Sequence, residues 1–451
     1  MRWNDLDEFV MTKLKSTNVP SLSLVLVKNN DVAYIRSYGF RDLAKCLPAT
    51  SQTVYGIASV TKCFTAVAIL QLVERGRILL ETPVEEILPL HLRPCGRPIC
   101  IHHLLTHTSG IPALDHLESE IIDMLRGITN APGVTNVLAW LNKSTDWVDA
   151  APGEKWFYFN EGYTILGGVI EQVCGVPYKE YLKEHVLDPL AMRSTGLLGE
   201  NFDNFAIPYL VTPEGGTRPA PIFSFPVGSE AGLASCVLDL VKFIICLINK
   251  GSPLISAELF AEMIKPRANL PRESVIPAAR KASYGYGFVI EPFLDSMTLI
   301  GHPGGIIVYT SYLGFIPEAH VGVAVLANGQ GPSMAQLAQV ALAYLLGYDF
   351  SLLPFVKLES MYQKILGIYH SCKGRATVCV QRVNGGLYLT FLGGVIPTSI
   401  PLHFHELDGS TGYFYAQQED ARFPVVFRFR EDQTELIYDC YKFRRTSRPS
   451  K

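Results

Sequence analysis

Ser59-Val60-Thr61-Lys62 opens the run Cys63-Phe64-Thr65-Ala66-Val67-Ala68-Ile69-Leu70-Gln71-Leu72-Val73-Glu74, and the reading of this stretch decides the fold. The run predicts a helix. A hydroxyl nucleophile needs a base within hydrogen-bond reach. Residues three apart on a helix share a face, so Ser59 and Lys62 can meet. Lys62, once taken out of water, can lose its proton and accept the one on the hydroxyl. The helix N-terminus adds a positive dipole end and free N–H groups beside Ser59, which can stabilise an oxyanion. No other S-x-x-K spacing occurs in the chain. On these four residues alone, a serine capping a buried helix that carries a surface lysine is an equal reading, and the rest of the chain has to separate the two.

The 451 residues exceed one ordinary core, so two or three domains are expected. A chain that is 48% hydrophobic and 18% charged is globular rather than disordered. A net charge of −3 leaves no footprint for nucleic acid or an anionic membrane surface. No apolar run reaches the length of a membrane span. Asp5, Asp7 and Glu8 stand where a signal peptide would be apolar, so a cytoplasmic location is expected. The ten cysteines are scattered without a C-x-x-C pair. Cys63, Cys174, Cys236 and Cys246 lie in apolar helical contexts, as small core residues of a reducing compartment do. His102, His103 and His107 are close in sequence, but no Glu or Cys completes a ligand group, and His403 and His405 share a strand face without partners. Neither a metal nor a cofactor is expected, and the three early histidines read as structural.

Along the chain, residues Leu6 to Lys15 read as a helix. Ser21 to Val27 and Val32 to Gly39 form a hairpin around Lys28-Asn29-Asn30-Asp31. Ile101 to Ser109 is a short helix stopped at Gly110. Glu118 to Thr145, Gly162 to Val173, Tyr178 to Val186 and Gly232 to Leu247 read as helices. Asn201 to Pro226 is a long irregular excursion whose Phe202, Phe205, Tyr209, Phe223 and Phe225 suggest an apolar pocket wall or plain packing. Tyr284 to Ile290, Thr298 to His302, Tyr309 to Phe315 and Val321 to Asn328 read as strands, and Gln336 to Leu346 as a closing helix. The early hairpin and the late strands fit one antiparallel sheet with helices between them. After about residue 355, short strands such as Leu387 to Phe391, Tyr413 to Tyr415, Val425 to Phe429 and Leu436 to Asp439 fit a separate small β-barrel.

Three stretches then stand in order: Ser59-Val60-Thr61-Lys62, Tyr158-Phe159-Asn160, and His302-Pro303-Gly304-Gly305. With them go His103-Leu104-Leu105-Thr106-His107-Thr108-Ser109-Gly110, Asp188-Pro189-Leu190-Ala191-Met192, Ala231-Gly232-Leu233-Ala234-Ser235 and Tyr284-Gly285-Tyr286-Gly287. As an ordered set these resemble the serine β-lactamase-related family, in its class C β-lactamase, D-aminopeptidase and esterase branch. The resemblance implies an α+β chain of β-lactamase/transpeptidase-like fold, an antiparallel sheet flanked by helices plus a helical subdomain. It places that catalytic domain at residues 1–350. Leu366-Gly367-Ile368-Tyr369-His370-Ser371 and Glu435 to Asp439 resemble the start and end of a lipocalin-like barrel appended to some members, here at 356–451.

The resemblance also implies roles. Ser59 forms an acyl-enzyme. Tyr158, its proton held off by Lys62, acts as base to Ser59 and then as acid to the leaving group. Asn160 orients Lys62 or a substrate amide, or caps the following helix. Ser59 N–H and Gly305 N–H form the oxyanion hole, with Gly304 and Gly305 allowing close approach. His302 replaces the family's frequent lysine as donor or cation. Pro303 departs from the family's Thr or Ser, having neither hydroxyl nor N–H. That turns the expectation away from carboxylated substrates such as penicillins and toward esters, small amides or short peptides. The expected activity is a serine hydrolase acting on an ester, amide or peptide. The rivals are an acyltransferase using the same triad toward an alcohol or amine, and a non-catalytic scaffold, which an intact Ser59, Lys62 and Tyr158 argue against. The expected partners are a small-molecule or short-peptide substrate and further copies of the chain.

Overall fold

The structure, a computed structural model, describes residues 3–113, 122, 133–212, 216–221, 228–271, 281–294, 296–383, 385–392, 398–418, 420–431 and 433–447. The chain divides into two compact units, the first built from the described residues up to 348 and the second from those from 349 onward.

The first unit begins with helix α1 (Asn4–Thr17), followed by the expected hairpin β1 (Ser21–Lys28) and β2 (Asp31–Asp42). Asn29 and Asn30 at its turn have φ of 50° and 67°, a conformation asparagine tolerates better than most residues. The chain continues through β3 (Leu47–Pro48) and β4 (Tyr55–Gly56), and later through β5 (Gly196–Leu197), β6 (Tyr209–Val211), β7 (Thr217–Pro219) and β8 (Leu233–Ser235). It ends with β9 (Ala268–Asn269), β10 (Ser283–Tyr284), β11 (Val289–Pro292), β12 (Thr298–Ile306), β13 (Tyr309–Ile316) and β14 (Val321–Ala327). Among the described residues, nine strands form one antiparallel sheet in the order β3-β2-β1-β14-β13-β12-β11-β10-β9. The first hairpin therefore joins the last strand, with Leu22 opposite Ala327 and Val25 opposite Ala324. β1 is buried at every residue but Lys28, and β14 throughout, because helices cover both faces of these apolar strands.

Helix α2 (Thr61–Glu74) is buried from Thr61 to Leu72, on all sides. Such a helix belongs to the interior. It starts two residues later than Ser59, which lies in a preceding 3-10 turn, Ala58–Val60. Gly287, with φ of 78°, lets the turn between β10 and β11 press on α2. A Cβ there would lie 2.9 Å from both Ala66 Cβ and Lys62 O.

Several expectations are corrected in detail. Gly232 to Leu247 is not one helix: Leu233–Ser235 pairs with β4 and β5, and the helix runs Val237–Ile248. Ladder pairing with two neighbouring segments wins over local helix pattern there. Tyr284 to Ile290 is two short strands separated by the Gly287 turn. The helix from Tyr178 passes at Lys183 into a π-helical turn, Lys183–Leu187. Of Glu118 to Thr145, the helix Val134–Leu141 is described and most of 118–132 lies outside the described residues. Phe223 and Phe225 also lie outside them, whereas Phe202 stacks on Phe205 at 5.8 Å.

The second unit is a closed barrel of eight antiparallel strands among the described residues, from Gly367–His370 to Tyr441–Ser447. Its interior is filled by side chains including Tyr369, Val380, Leu389, Phe414, Phe427 and Leu436. A helix missed in the sequence, Pro354–Ile365, adds Met361 and Ile365 to that core. No helix among the described residues is long and apolar enough to cross a membrane.

Candidate active site

The turn that carries Ser59 is held from two sides. Ile57 N–H donates to Leu233 O at 2.8 Å, and the Ser311 hydroxyl of β13 donates to Ile57 O at 2.6 Å. Gly304 lies directly over this turn: a Cβ would fall 2.3 Å from Ile57 O and 2.2 Å from Ser311 Oγ. Ala58, immediately before Ser59, has φ of 48°, a left-handed conformation that costs an alanine free energy.

Lys62 is fully buried, which removes the surface-lysine reading. Its Nζ lies 3.0 Å from Ser59 Oγ, 2.8 Å from Asn160 Oδ1 and 2.7 Å from Glu230 O. The last two are carbonyl oxygens, which only accept. They therefore fix two of the amine's hydrogens. The third position, toward Ser59 Oγ, can carry either a hydrogen or the lone pair, so both charge states of Lys62 are satisfied in one geometry. The Glu230 carbonyl is itself anchored. Ser229 O accepts from Thr65 Oγ1 of α2 at 2.6 Å, and Ser229 Oγ donates to Tyr163 O at 2.9 Å.

Asn160 is the first residue of the helix Asn160–Cys174, whose N-cap is Phe159 and which has no side-chain cap. Its side chain serves Lys62 rather than the helix. Tyr158 is half-buried, with its ring 4.9 Å from Lys62 Nζ and 6.1 Å from the His302 ring. Trp156 lies 6.1 Å from Tyr158, and its buried indole nitrogen has no hydrogen-bond partner among the described residues. Pro303 and Gly305 are exposed along β12, Gly304 is half-buried, and a Cβ on Gly305 would meet no atom of the described residues within 4 Å.

His302 is 1% exposed. Its Nδ1 lies 2.6 Å from Pro303 O and its Nε2 lies 2.8 Å from the Tyr284 hydroxyl. Both ring nitrogens are thus engaged inside the protein. Burial pushes the Tyr284 phenol far up.

Sequence reasoning passed over two groupings. His107, read as structural, is fully buried with its ring 4.3 Å from Tyr158 and 4.8 Å from Tyr284. Cys100, His102 and His103 have ligand-type atoms within 4.8 Å of one another, so a cysteine does stand beside the histidine pair. However, His102 Nδ1 lies 2.9 Å from Leu80 O, and His103 Nδ1 accepts the Cys100 N–H at 3.0 Å. The second bond holds the start of the helix Ile101–Leu105 and occupies a lone pair that a metal would need.

Residues 6–346 match the β-lactamase family model, and residues 351–444 match the Pab87 octamerisation domain. The octameric penicillin-binding protein homologue from Pyrococcus abyssi is similar over 99% of this chain and 100% of its own, at 35% identity and a TM-score of 0.92. Protein flp of Staphylococcus aureus is 28% identical over 333 residues, which are 72% of this chain and 62% of flp. Esterase EstB of Burkholderia gladioli is 29% identical over 227 residues, 45% of this chain and 54% of the esterase. The chain thus spans less than two thirds of the length of these two curated relatives.

Proposed function

Because the chain belongs to the β-lactamase family over residues 6–346, we propose that it is a serine hydrolase that opens an ester, amide or peptide bond through an acyl-enzyme. Ser59 Oγ attacks the carbonyl carbon and its proton passes to Lys62 Nζ, 3.0 Å away, in place of the Tyr158 base that the family resemblance implies. The carbonyl oxygen becomes an oxyanion held by the N–H groups of Ser59 and Gly305. Tyr158 then gives its hydroxyl proton to the leaving alkoxide or amine as the C–O or C–N bond breaks, and Lys62 restores that proton. A water molecule gives a proton to Lys62 and adds to the acyl carbon; the bond from that carbon to Ser59 Oγ then breaks, Lys62 returns the proton to Oγ, and the acid leaves. The observation that carries this reading is Lys62: fully buried, locked by two carbonyl oxygens, and 3.0 Å from Ser59 Oγ.

On the substrate side, Pro303 brings no hydroxyl, and His302 has both ring nitrogens committed within the protein. Neither feature favours gripping a carboxylate, so esters, small amides and short peptides are the proposed substrates. Residues 1–350 are the proposed catalytic domain and 356–451 the proposed assembly domain. The relative from Pyrococcus abyssi is octameric, and a homo-oligomer built through the barrel is the proposed state of this chain.

The test is an intact-mass time course with a p-nitrophenyl acyl ester, run beside Ser59→Ala. A transient adduct on the unmodified protein and none on Ser59→Ala is the expected result. Release of nitrophenol without any dependence on Ser59 would overturn it. Added alcohol or amine that emerges acylated would make the enzyme a transferase instead.

A further inference from the structure

The backbone N–H of Phe159 donates to His107 Nδ1 at 3.0 Å. A backbone N–H can only donate, so Nδ1 holds a lone pair and the neutral ring carries its hydrogen on Nε2. That Nε2 lies 3.2 Å from the Tyr284 hydroxyl, which must therefore accept from it. The hydrogen of Tyr284 is left to point elsewhere. His302 Nε2 lies 2.8 Å away. His302 Nδ1 faces Pro303 O, a pure acceptor, so Nδ1 bears the hydrogen and Nε2 of the neutral ring receives from Tyr284. The Tyr163 hydroxyl, which donates to Leu105 O at 2.9 Å, lies beside Tyr284 as a second acceptor. With the single Tyr284 hydrogen directed to His302 Nε2 rather than to Tyr163, the bonds run from His107 through Tyr284 to His302 and on to the Pro303 carbonyl. All three side chains are buried at 0 to 1% exposure.

His107 also has a second hold. Its own carbonyl accepts the Phe157 N–H at 2.9 Å, so both neighbours of Tyr158 are bonded to this one residue. His107 adopts φ of 58°, an uncommon conformation for a histidine. The surroundings enforce it. Burial, the Lys62 charge and His302 push its imidazole well below its ordinary pKa, which keeps the Nδ1 lone pair available.

We propose that His107 is a positioning residue for both halves of the site. One imidazole fixes the Tyr158-Asn160 segment through Phe159 and, by orienting the Tyr284 hydroxyl toward Nε2, holds His302 in the tautomer that bonds the Pro303 carbonyl at the Pro303 to Gly305 edge. The proposal rests on the reading of Ser59 as nucleophile and of that edge as oxyanion hole. A histidine suits the role because a neutral ring offers an acceptor on one side and a donor on the other, which a tyrosine or lysine there does not do in this geometry.

The test uses the full chain with His107→Asn, Tyr284→Phe and the double variant. Asparagine tolerates the left-handed backbone and can still accept from Phe159, but it is too short to reach Tyr284. Nitrophenyl-ester kinetics should show each single variant losing about tenfold or more in kcat, with KM within about twofold, and the double variant no slower than the slower single. Losses that multiply, or an unaffected kcat, would overturn the proposal. Amide hydrogen exchange supplies a readout that does not depend on turnover. Tyr284→Phe should speed exchange at 304–306 while leaving 157–160 protected. Unchanged exchange at 304–306 would sink the relay even if Ser59 proves to be the nucleophile. A failure of the unmodified protein to form an adduct would sink the hydrolase reading and leave the relay to be judged by exchange.

Discussion

The side-chain carbonyl of Asn160 accepts from Lys62 at 2.8 Å although Asn160 begins a helix that has no side-chain cap. An asparagine one position earlier, at the N-cap that Phe159 occupies, would stabilise the helix. Standing inside the first turn instead, Asn160 holds an amine. Asn160→Asp should separate the two roles. A carboxylate against Lys62 pins it as an ammonium, while an acid in the first turn favours the helix by about 0.3–1 kcal/mol. Acylation is expected to fall roughly a hundredfold, within the range of a lost general base, with an unchanged or raised Tm. Stopped-flow nitrophenol release and a melting curve on the same sample check this; a faster Asn160→Asp enzyme would contradict it.

Lys62→Ala removes the amine and leaves the carbonyl oxygens of Asn160 and Glu230 facing each other's former partner. The expected outcome is a folded protein whose acylation is lost by about 10³-fold or more. Circular dichroism together with intact-mass labelling decides it. Turnover close to that of the unmodified enzyme would remove Lys62 from the chemistry.

Gly304→Ala places a methyl 2.2 Å from Ser311 Oγ and 2.3 Å from Ile57 O. One of these is backbone and the other is hydrogen-bonded to it, so neither yields cheaply. A destabilisation of about 1–3 kcal/mol is expected from the overpacking, with the Ser59 turn displaced and acylation reduced. Urea unfolding and labelling rates measure the two effects, and an alanine variant with unaltered midpoint and rate would show that the strand has room to move.

Acid should weaken the catalytic unit through the half-buried His103 and the buried His107. Burial, with the neighbouring His102, lowers His103 from 6.5 to about 4, and His107 is also held well below its ordinary value. Between pH 6.5 and 4 the unfolded chain binds protons that the folded chain refuses, so stability rises with pH across that window. It is complete above about 6.5 and falls progressively as pH drops toward 4. Thermal melts from pH 7.5 to 4.5 should show this decline, and His103→Gln should flatten part of it. A Tm independent of pH over that range would contradict the assignment.

Ending the chain near residue 350 should leave a folded catalytic unit, because the buried apolar residues of the first unit run to Leu345 while the barrel encloses a core of its own. Light scattering on the full chain and on the truncated one is expected to show a higher oligomer for the former and a smaller species for the latter. An insoluble truncated chain, or one of unchanged stoichiometry, would count against the barrel as a separate assembly domain.

The sequence made the frame readable where local pattern and tertiary demand agree. The alternation and β-branched content around Ser21 to Val27 and Val321 to Asn328 pointed to buried strands, and Ser59 with Lys62 was recoverable from its spacing once the later motifs stood in order behind it. Where the two conflict, reading failed. Leu233 to Ser235 carries a helix-compatible pattern but is claimed by two partner strands far away in sequence. His107 looked like one of three loop histidines because its partners, Phe159, Tyr284 and, through Tyr284, His302, lie on segments that nothing local brings near. The Glu230 carbonyl could not be found at all from residue identity, since every residue has one. Conversely, the motif order was legible because each motif places a side chain or glycine at a point that tolerates few alternatives.

The pairing of β1 with β14 has a consequence for how the protein is made. The N–H of Ser21 bonds to the side chain of Asn328, 307 residues further along. Synthesis at about 5–20 residues per second puts that partner roughly 15–60 s behind. During this time the first hairpin has one strand edge unsatisfied, a template for pairing with a neighbouring nascent chain. The Ser59 turn is no better off, since its clamp, Ser311, belongs to the same late segment. Contacts of such long sequence separation slow folding. Productive folding of the catalytic unit is therefore a late, largely post-emergence event, and the yield of active enzyme in a cell should respond to translation rate and to chaperones that shield open strands.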